Sequence, residues 1–216
     1  EFSVLPASVD IMQSLEVPQG IDSTLAARAF SAKPLPPVFQ DGYPRIEISF
    51  TMPELSREMR GGGGYYVMDF MRRTMEYVAA QSLDYPSCVY SGKEFVWAAR
   101  AHPDSLTGYF IDLSRQCVQL ARNGITDQLF VQARESYLKQ EEWRYRNRNT
   151  FTNEYYVQEC INHFFDGIPL PTAEWRYRFV NQMSSYITTE HVNRFIKGVL
   201  FSCPPEITLY KAANAT

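Results

Sequence analysis

Apolar positions recur along this chain with two periods. Residues 45–51 alternate, with Ile46, Ile48 and Phe50 on one side and Arg45, Glu47 and Ser49 on the other, which predicts a strand with one buried face. Strands are also expected at 87–90 and 94–99, joined across Ser91-Gly92 in a hairpin turn, and at 206–210. Elsewhere the apolar step is three and four. Tyr66, Phe70, Met71 and Val78 place a helix over 65–80, and Leu106, Phe110, Leu113, Cys117 and Leu120 define another that ends at Asn123-Gly124. Thr126 is suited to cap a long helix over 127–146.

Three more helices follow within 150–200 with almost no slack. The first covers 153–165, with apolar residues around Tyr155, Tyr156, Cys160, Phe164 and Phe165, and Asp166-Gly167 offers the left-handed position on which it can end. Pro169 and Pro171 cannot continue a helix, so Gly167 to Pro171 is expected to form a rigid extended joint with Ile168 and Leu170 directed inward. The second helix starts near Thr172 and runs to about Met183. The third is capped by Thr188, carries Glu190 in its first turn, and lines Val192, Phe195, Ile196, Val199 and Leu200 along one face. The order is strand, helix, two strands, five successive helices and a closing strand. It predicts an α+β fold, a mainly antiparallel sheet with about six helices packed on one face. Residues 1–44, with Pro6, Pro18, Pro34, Pro36, Pro37, Pro44 and one short helical candidate at 23–30, read as a connecting arm. Residues 45–211 then form the domain and 212–216 a tail.

The order His163-Phe-Phe-Asp-Gly-Ile-Pro-Leu-Pro171, followed by Ile187-Thr-Thr-Glu-His-Val-Asn193, resembles a recurrent segment of the pitrilysin-type, insulinase-family zinc metallopeptidases. The likeness is to the non-catalytic domain that follows the zinc-bearing one, and is greatest to large periplasmic peptidases of Bacteroides-like bacteria. Asn123-Gly-Ile-Thr-Asp-Gln-Leu129, with Ala133-Arg134 beyond it, resembles the same family, in which Gly-x-Thr precedes a long helix. The resemblance marks Gly124, Thr126, Pro169, Pro171, Thr188 and Asn193 as the structural motif. It implies a parent peptidase that hydrolyses peptides with zinc held in another domain, sister domains and peptide substrate as partners, and a periplasmic or secreted location. The family usually has acidic residues where Leu129, Arg176 and Arg178 stand. Arg176, Arg178 and His163 are therefore the candidate contacts to substrate or a neighbouring domain, with a reversed charge preference at the two arginines.

The candidate chemistry is informative by omission. The resemblance implies a catalytic domain with His-x-x-Glu-His, two imidazoles one helical turn apart with a Glu as general base. His102, His163 and His191 have no such spacing, so no catalytic residue, metal ligand or cofactor is expected in this chain. His163, four residues after Glu159, reads as a helix-terminal histidine bonded to backbone carbonyls. Gly61 to Gly64 lacks the strand before it and the Lys-Ser/Thr after it that a phosphate loop needs, and reads as a flexible loop. Trp-Arg-Tyr-Arg occurs at 143–146 and again at 175–178, the interleaving of single-strand nucleic-acid sites. With Glu141 and Glu142 adjacent and a net charge of −3, helices that bury the aromatics and solvate the arginines are the better account, and no nucleic-acid partner is expected. Cys88, Cys117, Cys160 and Cys203 are widely spaced, and Cys117 and Cys160 fall on apolar helix faces as structural thiols.

The 216 residues, 45% of them hydrophobic, suffice for one globular domain, and no run is long and apolar enough to span a membrane. The chain opens Glu1-Phe2 without methionine, which reads as a processed or excised piece. Two functions are consistent with the sequence. One is a non-catalytic structural and substrate-enclosing domain of a pitrilysin-like zinc metallopeptidase; the other is a stand-alone binding or assembly module that kept the fold.

Overall fold

The alternation at 45–51 becomes the central strand of a five-stranded sheet in the computed structural model, which describes residues 38–41, 45–82, 86–91, 94–100, 106–202 and 204–212. In chain order the strands are β1 Val38–Asp41, β2 Arg45–Thr51, β3 Pro86–Ser91, β4 Glu94–Arg100 and β5 Glu206–Ala212. The helices are α1 Arg57–Arg60, α2 Gly63–Ser82, α3 Leu106–Asn123, α4 Asp127–Arg146, α5 Asn153–Asp166, α6 Ala173–Tyr186 and α7 Thr189–Ser202. The chain divides into two compact units, and both draw on the stretch 45–211. Among the described residues, Glu54–Thr74 and Thr126–Val192 form a helical unit. Met75–Ile125 and the described parts of Glu16–Pro53 and Asn193–Thr216 form the sheet unit.

In the sheet unit the strand order is β1-β5-β2-β4-β3, antiparallel throughout except for the parallel β1–β5 pair. Register follows from the apolar face of β2. Phe50 lies opposite Phe95, and Ile48 lies opposite Trp97 on one side and Ile207 on the other. Phe50, Ile48, Phe95 and Trp97 are all buried, whereas Arg45, Glu47 and Ser49 are half-buried. A slip of one residue would exchange these two faces, so the pattern itself fixes the pairing. Helix α3 packs against β2 and buries Leu113, Cys117 and Ala121 at intervals of four.

The α+β architecture and mainly antiparallel sheet match the sequence expectation, with three differences in detail. Val38–Asp41, assigned to the connecting arm, is a strand at the sheet edge; four residues are too few to show alternation, and their partner β5 lies far along the chain. The candidate helix at 23–30 lies outside the described residues. Helix α1 is one turn, too short to show a period, and Ser56 Oγ accepts the Met59 N–H at its start. The glycine run is only partly loop, because α2 begins at Gly63. A Cβ at Gly63 would lie 2.6 Å from Cζ of Phe179 within the helical unit, so this glycine permits a close approach.

Threonines open the last four helices. Thr126, Thr152 and Thr172 have extended backbones and accept the N–H of Leu129, Tyr155 and Trp175 at 3.2, 3.4 and 3.2 Å. Thr188 Oγ1 accepts the His191 N–H at 3.4 Å while His191 Nδ1 accepts the Thr188 N–H at 3.2 Å, a capping box with histidine in the usual Glu position.

The apolar stripe predicted for the last helix is buried at Val192, Phe195, Ile196, Val199 and Leu200. Truncating Phe195 leaves a cavity, so Phe195→Ala should lower stability by about 3–5 kcal/mol in denaturant unfolding. A loss under about 1 kcal/mol would show that the ring is not part of the core.

Candidate functional site

Helix α4 turns Phe130, Ala133, Tyr137 and Glu141 toward the interior of the helical unit, so its buried stripe ends in a carboxylate. Arg176 of α6 meets it. Nε and Nη2 donate to Glu141 Oε2 and Oε1 at 2.7 Å each, a bidentate pair whose side chains are 15% and 4% exposed. The guanidinium also lies 5.2 Å over the Tyr66 ring of α2. Tyr66 in turn contacts Trp175 and Phe179, whose rings stack 4.8 Å apart. Burial works against the Arg176 charge, but hydrogen bonds and the charge of Glu141 more than offset this and raise its pKa.

A second buried carboxylate, Asp69 of α2, accepts from Arg72 Nη2 at 2.5 Å and from Arg73 Nε and Tyr137 Oη at 3.3 Å each. Arg73 reaches on to Gln140 Oε1 at 3.2 Å. Burial pushes the Asp69 carboxyl upward, yet the charges of Arg72 and Arg73 win and hold it below the usual carboxylate range. Burial raises the pKa of the Tyr66 and Tyr137 hydroxyls, so neither is a ready base or nucleophile. Apart from the Tyr66 hydroxyl, which is buried without a hydrogen-bond partner among the described residues, these groups are donors and acceptors matched to one another. They clamp α2, α4 and α6 together and leave Asp69 and Glu141 engaged by cations. Beside them lies an open depression of about 490 Å³ lined by Arg73, Ser136, Lys139, Gln140, Glu141, Trp143 and Arg144.

The three candidate contact residues therefore part company. Arg176 is turned inward and half-buried, which corrects the expectation of a solvated arginine; periodicity did not reveal that α4 would offer it an inward carboxylate. Arg178 is exposed and pairs with Glu174 one turn earlier, a surface contact of small energetic weight. His163 is exposed, and its Nδ1 lies 2.7 Å from the Ile168 carbonyl, so its N–H satisfies a carbonyl just past the helix end. Trp143 is exposed as well, contrary to the expected buried aromatic. The two Trp-Arg-Tyr-Arg copies meet through Tyr145 and Tyr177, stacked at 4.7 Å and 10°.

The structural-motif residues occupy joints. Gly124 has φ +68°, and a Cβ there would lie 2.5 Å from Asn193 atoms. Asn193 Oδ1 accepts the Ile125 N–H at 2.7 Å and its Nδ2 donates to the Ile125 carbonyl at 3.3 Å, so Gly124 and Asn193 form one lock. Gly167, φ +68°, ends α5 with its N–H on the His163 carbonyl at 3.1 Å. Pro169 and Pro171 are half-buried in the joint, but Leu170 is exposed and does not plug inward.

Helix α5 contains no buried residue. Phe164 and Phe165 are 81% and 76% exposed, and Tyr156, Val157 and Ile161 are exposed too. Cys160 shares that outward side and is exposed, which corrects its reading as a structural thiol; Cys117 is buried, and its thiol pKa is raised by burial. Cys203 and His102 lie outside the described residues. The remaining imidazoles do not fit a zinc site: His163 is turned to Ile168 and His191 to Thr188, and no three His, Cys, Asp or Glu side chains gather among the described residues.

These features define an α+β domain with the fold of the insulinase-type peptidases. A predicted insulinase family protease from Yersinia pestis superposes with a TM-score of 0.69 at 14% identity over 85% of this chain and 43% of that one. The first half of the periplasmic protease PqqL from Escherichia coli gives 0.64 at 8% identity over 81% and 41%. A putative M16-like peptidase from Alicyclobacillus acidocaldarius gives 0.52 at 12% over 82% and 43%. The chain thus spans less than half the length of these structures. No protein-family model and no curated protein sequence matches it.

Breaking the buried pair by Arg176→Met strands a charge and should cost about 3–5 kcal/mol, with Glu141→Leu in the same chain recovering most of it. A single-variant loss under about 1 kcal/mol in denaturant unfolding would place the pair at the surface.

The folded pKa of Asp69 is lowered from 3.8, so its stabilisation is present above that value and is lost as pH falls through the folded value. Asp69→Asn should flatten the acid limb of the stability curve below about pH 4 and leave the slope above about pH 5 unchanged. An unaltered acid limb would mean that the arginines do not hold this carboxylate.

Proposed function

We propose that this chain is a non-catalytic structural and substrate-enclosing domain of a pitrilysin-like zinc metallopeptidase. The observation that carries the reading is the fold likeness to an insulinase family protease in which a stretch matching 85% of this chain accounts for 43% of the length. Zinc and the hydrolytic groups belong to another domain of the parent, because the described histidines serve helix termini. Sister domains and peptide are the partners. The net charge of −3 disfavours a nucleic-acid partner, and among the described residues no helix is long and apolar enough to cross a membrane. A periplasmic or secreted location is supported by the likeness to half of a periplasmic protease. The outward apolar face of α5 also suits the alternative, a stand-alone binding or assembly module that kept the fold, and the parent reading frame separates the two: a His-x-x-Glu-His in the same polypeptide supports the peptidase.

The isolated chain, washed with chelator and dialysed against zinc, should retain no stoichiometric metal and cleave no unstructured reporter peptide. One tightly held zinc per chain, or chelator-sensitive cleavage, would overturn the non-catalytic assignment.

A further inference from the structure

Helix α5 is amphipathic the wrong way round. Its half-buried positions, Tyr155, Glu159 and Asn162, recur at i, i+4 and i+7, so they define the side that meets the helical unit. That side is polar. Arg144 Nη1 donates to the Tyr155 hydroxyl at 2.8 Å and lies 3.9 Å from Glu159 Oε1. Val157, Ile161, Phe164 and Phe165 follow at i, i+4, i+7 and i+8 on the opposite side, flanked by Tyr156 and Cys160, and all six are exposed. Tyr156 carries the apolar surface on through Phe151 to exposed Trp143, with ring centroids 6.4 and 5.9 Å apart. Isolated exposed hydrophobes need no explanation, but a continuous stripe on the outer side of a helix marks an interaction surface.

The charge around the stripe selects its occupant. Residues 149–173 contain Glu154, Glu159 and Asp166 and no Lys or Arg, and since Glu159 is turned inward to Arg144, Glu154 and Asp166 are the charges left toward the two ends of the outward face. Glu154 stands one turn before Val157 in line with the stripe, and Asp166 closes the helix. A twofold pair with a second copy would set like charges together. Antiparallel packing centred on Ile161 brings Glu154 within about 3 Å, along the axis, of the level of the mate's Asp166, and parallel packing sets Glu154 against itself. We infer that the outward face of α5 docks a different protein surface, apolar at its centre and rimmed by Lys or Arg. This goes beyond the domain assignment, since it holds whether or not the parent cleaves peptides.

The test uses a fluorescent amphipathic peptide of about 18 residues, long enough to hold a helix, built from Leu and Lys, and its counterpart built from Leu and Glu. The 216-residue chain should sediment as a monomer and bind the Leu/Lys peptide about tenfold more tightly than the Leu/Glu peptide in anisotropy titrations. Phe164→Ser with Phe165→Ser should weaken binding about tenfold without lowering the melting temperature, and Val157→Ser with Ile161→Ser should do the same. Equal binding of the two peptides, binding indifferent to both pairs of substitutions, or melting temperatures lowered by both pairs would overturn the proposal. So would a dimer that the substitutions dissolve, because the occupant would then be a second copy.

Discussion

The helical unit is arranged around one interaction, the bidentate pair between Arg176 and Glu141. Neither charge would be tolerated alone at that depth, because moving an ion out of water costs several kcal/mol that only a well-aligned partner offsets. Once α4 turns Glu141 inward, α6 has one rotational setting that delivers a guanidinium to both oxygens. That setting fixes the neighbours of Arg176 along α6. Trp175 and Phe179, one helical turn apart, stack on each other and contact Tyr66, while Tyr177 stacks on Tyr145. The close approach of Phe179 then admits no side chain at Gly63, which accounts for a glycine inside the first turn of α2. A pair of this kind contributes less to net stability than its geometry implies, but it penalises every alternative helix rotation that would leave one charge unmatched.

The sheet unit is fixed by shape. Ile46, Ile48 and Phe50 define one face, the cross-strand partners Phe95 and Trp97 fill it, and no buried ion is needed to choose the register. Its polar device is smaller. The Asn193 amide matches both hydrogen-bonding groups of Ile125, which the left-handed turn at Gly124 would otherwise leave without a strand or helix partner.

Sequence periodicity revealed what each longer element is and, for β2 and α7, which side faces in, but not for α5. The six longer helices and four of the five strands were legible because each shows enough repeats to define its period. Strand β1 and helix α1 were not, since four residues cannot. At the candidate site the limit is of another kind. The pattern at 153–165 shows a stripe, and the default inference buries it, yet Arg144 draws the polar side of α5 inward through Tyr155 and Glu159. Arg176 fails for the same reason, because an inward arginine can be recognised only when the carboxylate that receives it, 35 residues earlier, is known to be inward too. The histidines were more legible, since His163 stands in the last turn of a helix that ends at Asp166-Gly167.

The exposed stripe and the fold likeness constrain each other. Burying a phenylalanine side chain is worth about 1.5–3 kcal/mol, so leaving Phe164, Phe165 and Ile161 in water forgoes more stabilisation than most single interactions in the unit provide. Local packing had an alternative, since rotating α5 by half a turn would bury the stripe. It would also remove Tyr155 and Glu159 from Arg144 and expose polar groups on the inner side. The observed rotation therefore trades apolar burial within the unit for an apolar surface outside it, a trade that becomes favourable only when something covers that surface. In a fold that elsewhere occurs within chains about twice this length, a covering protein face is the economical explanation. The carboxylates around the stripe then act on specificity. They do little for this unit alone, but they disfavour self-association and favour a partner that carries the opposite charge.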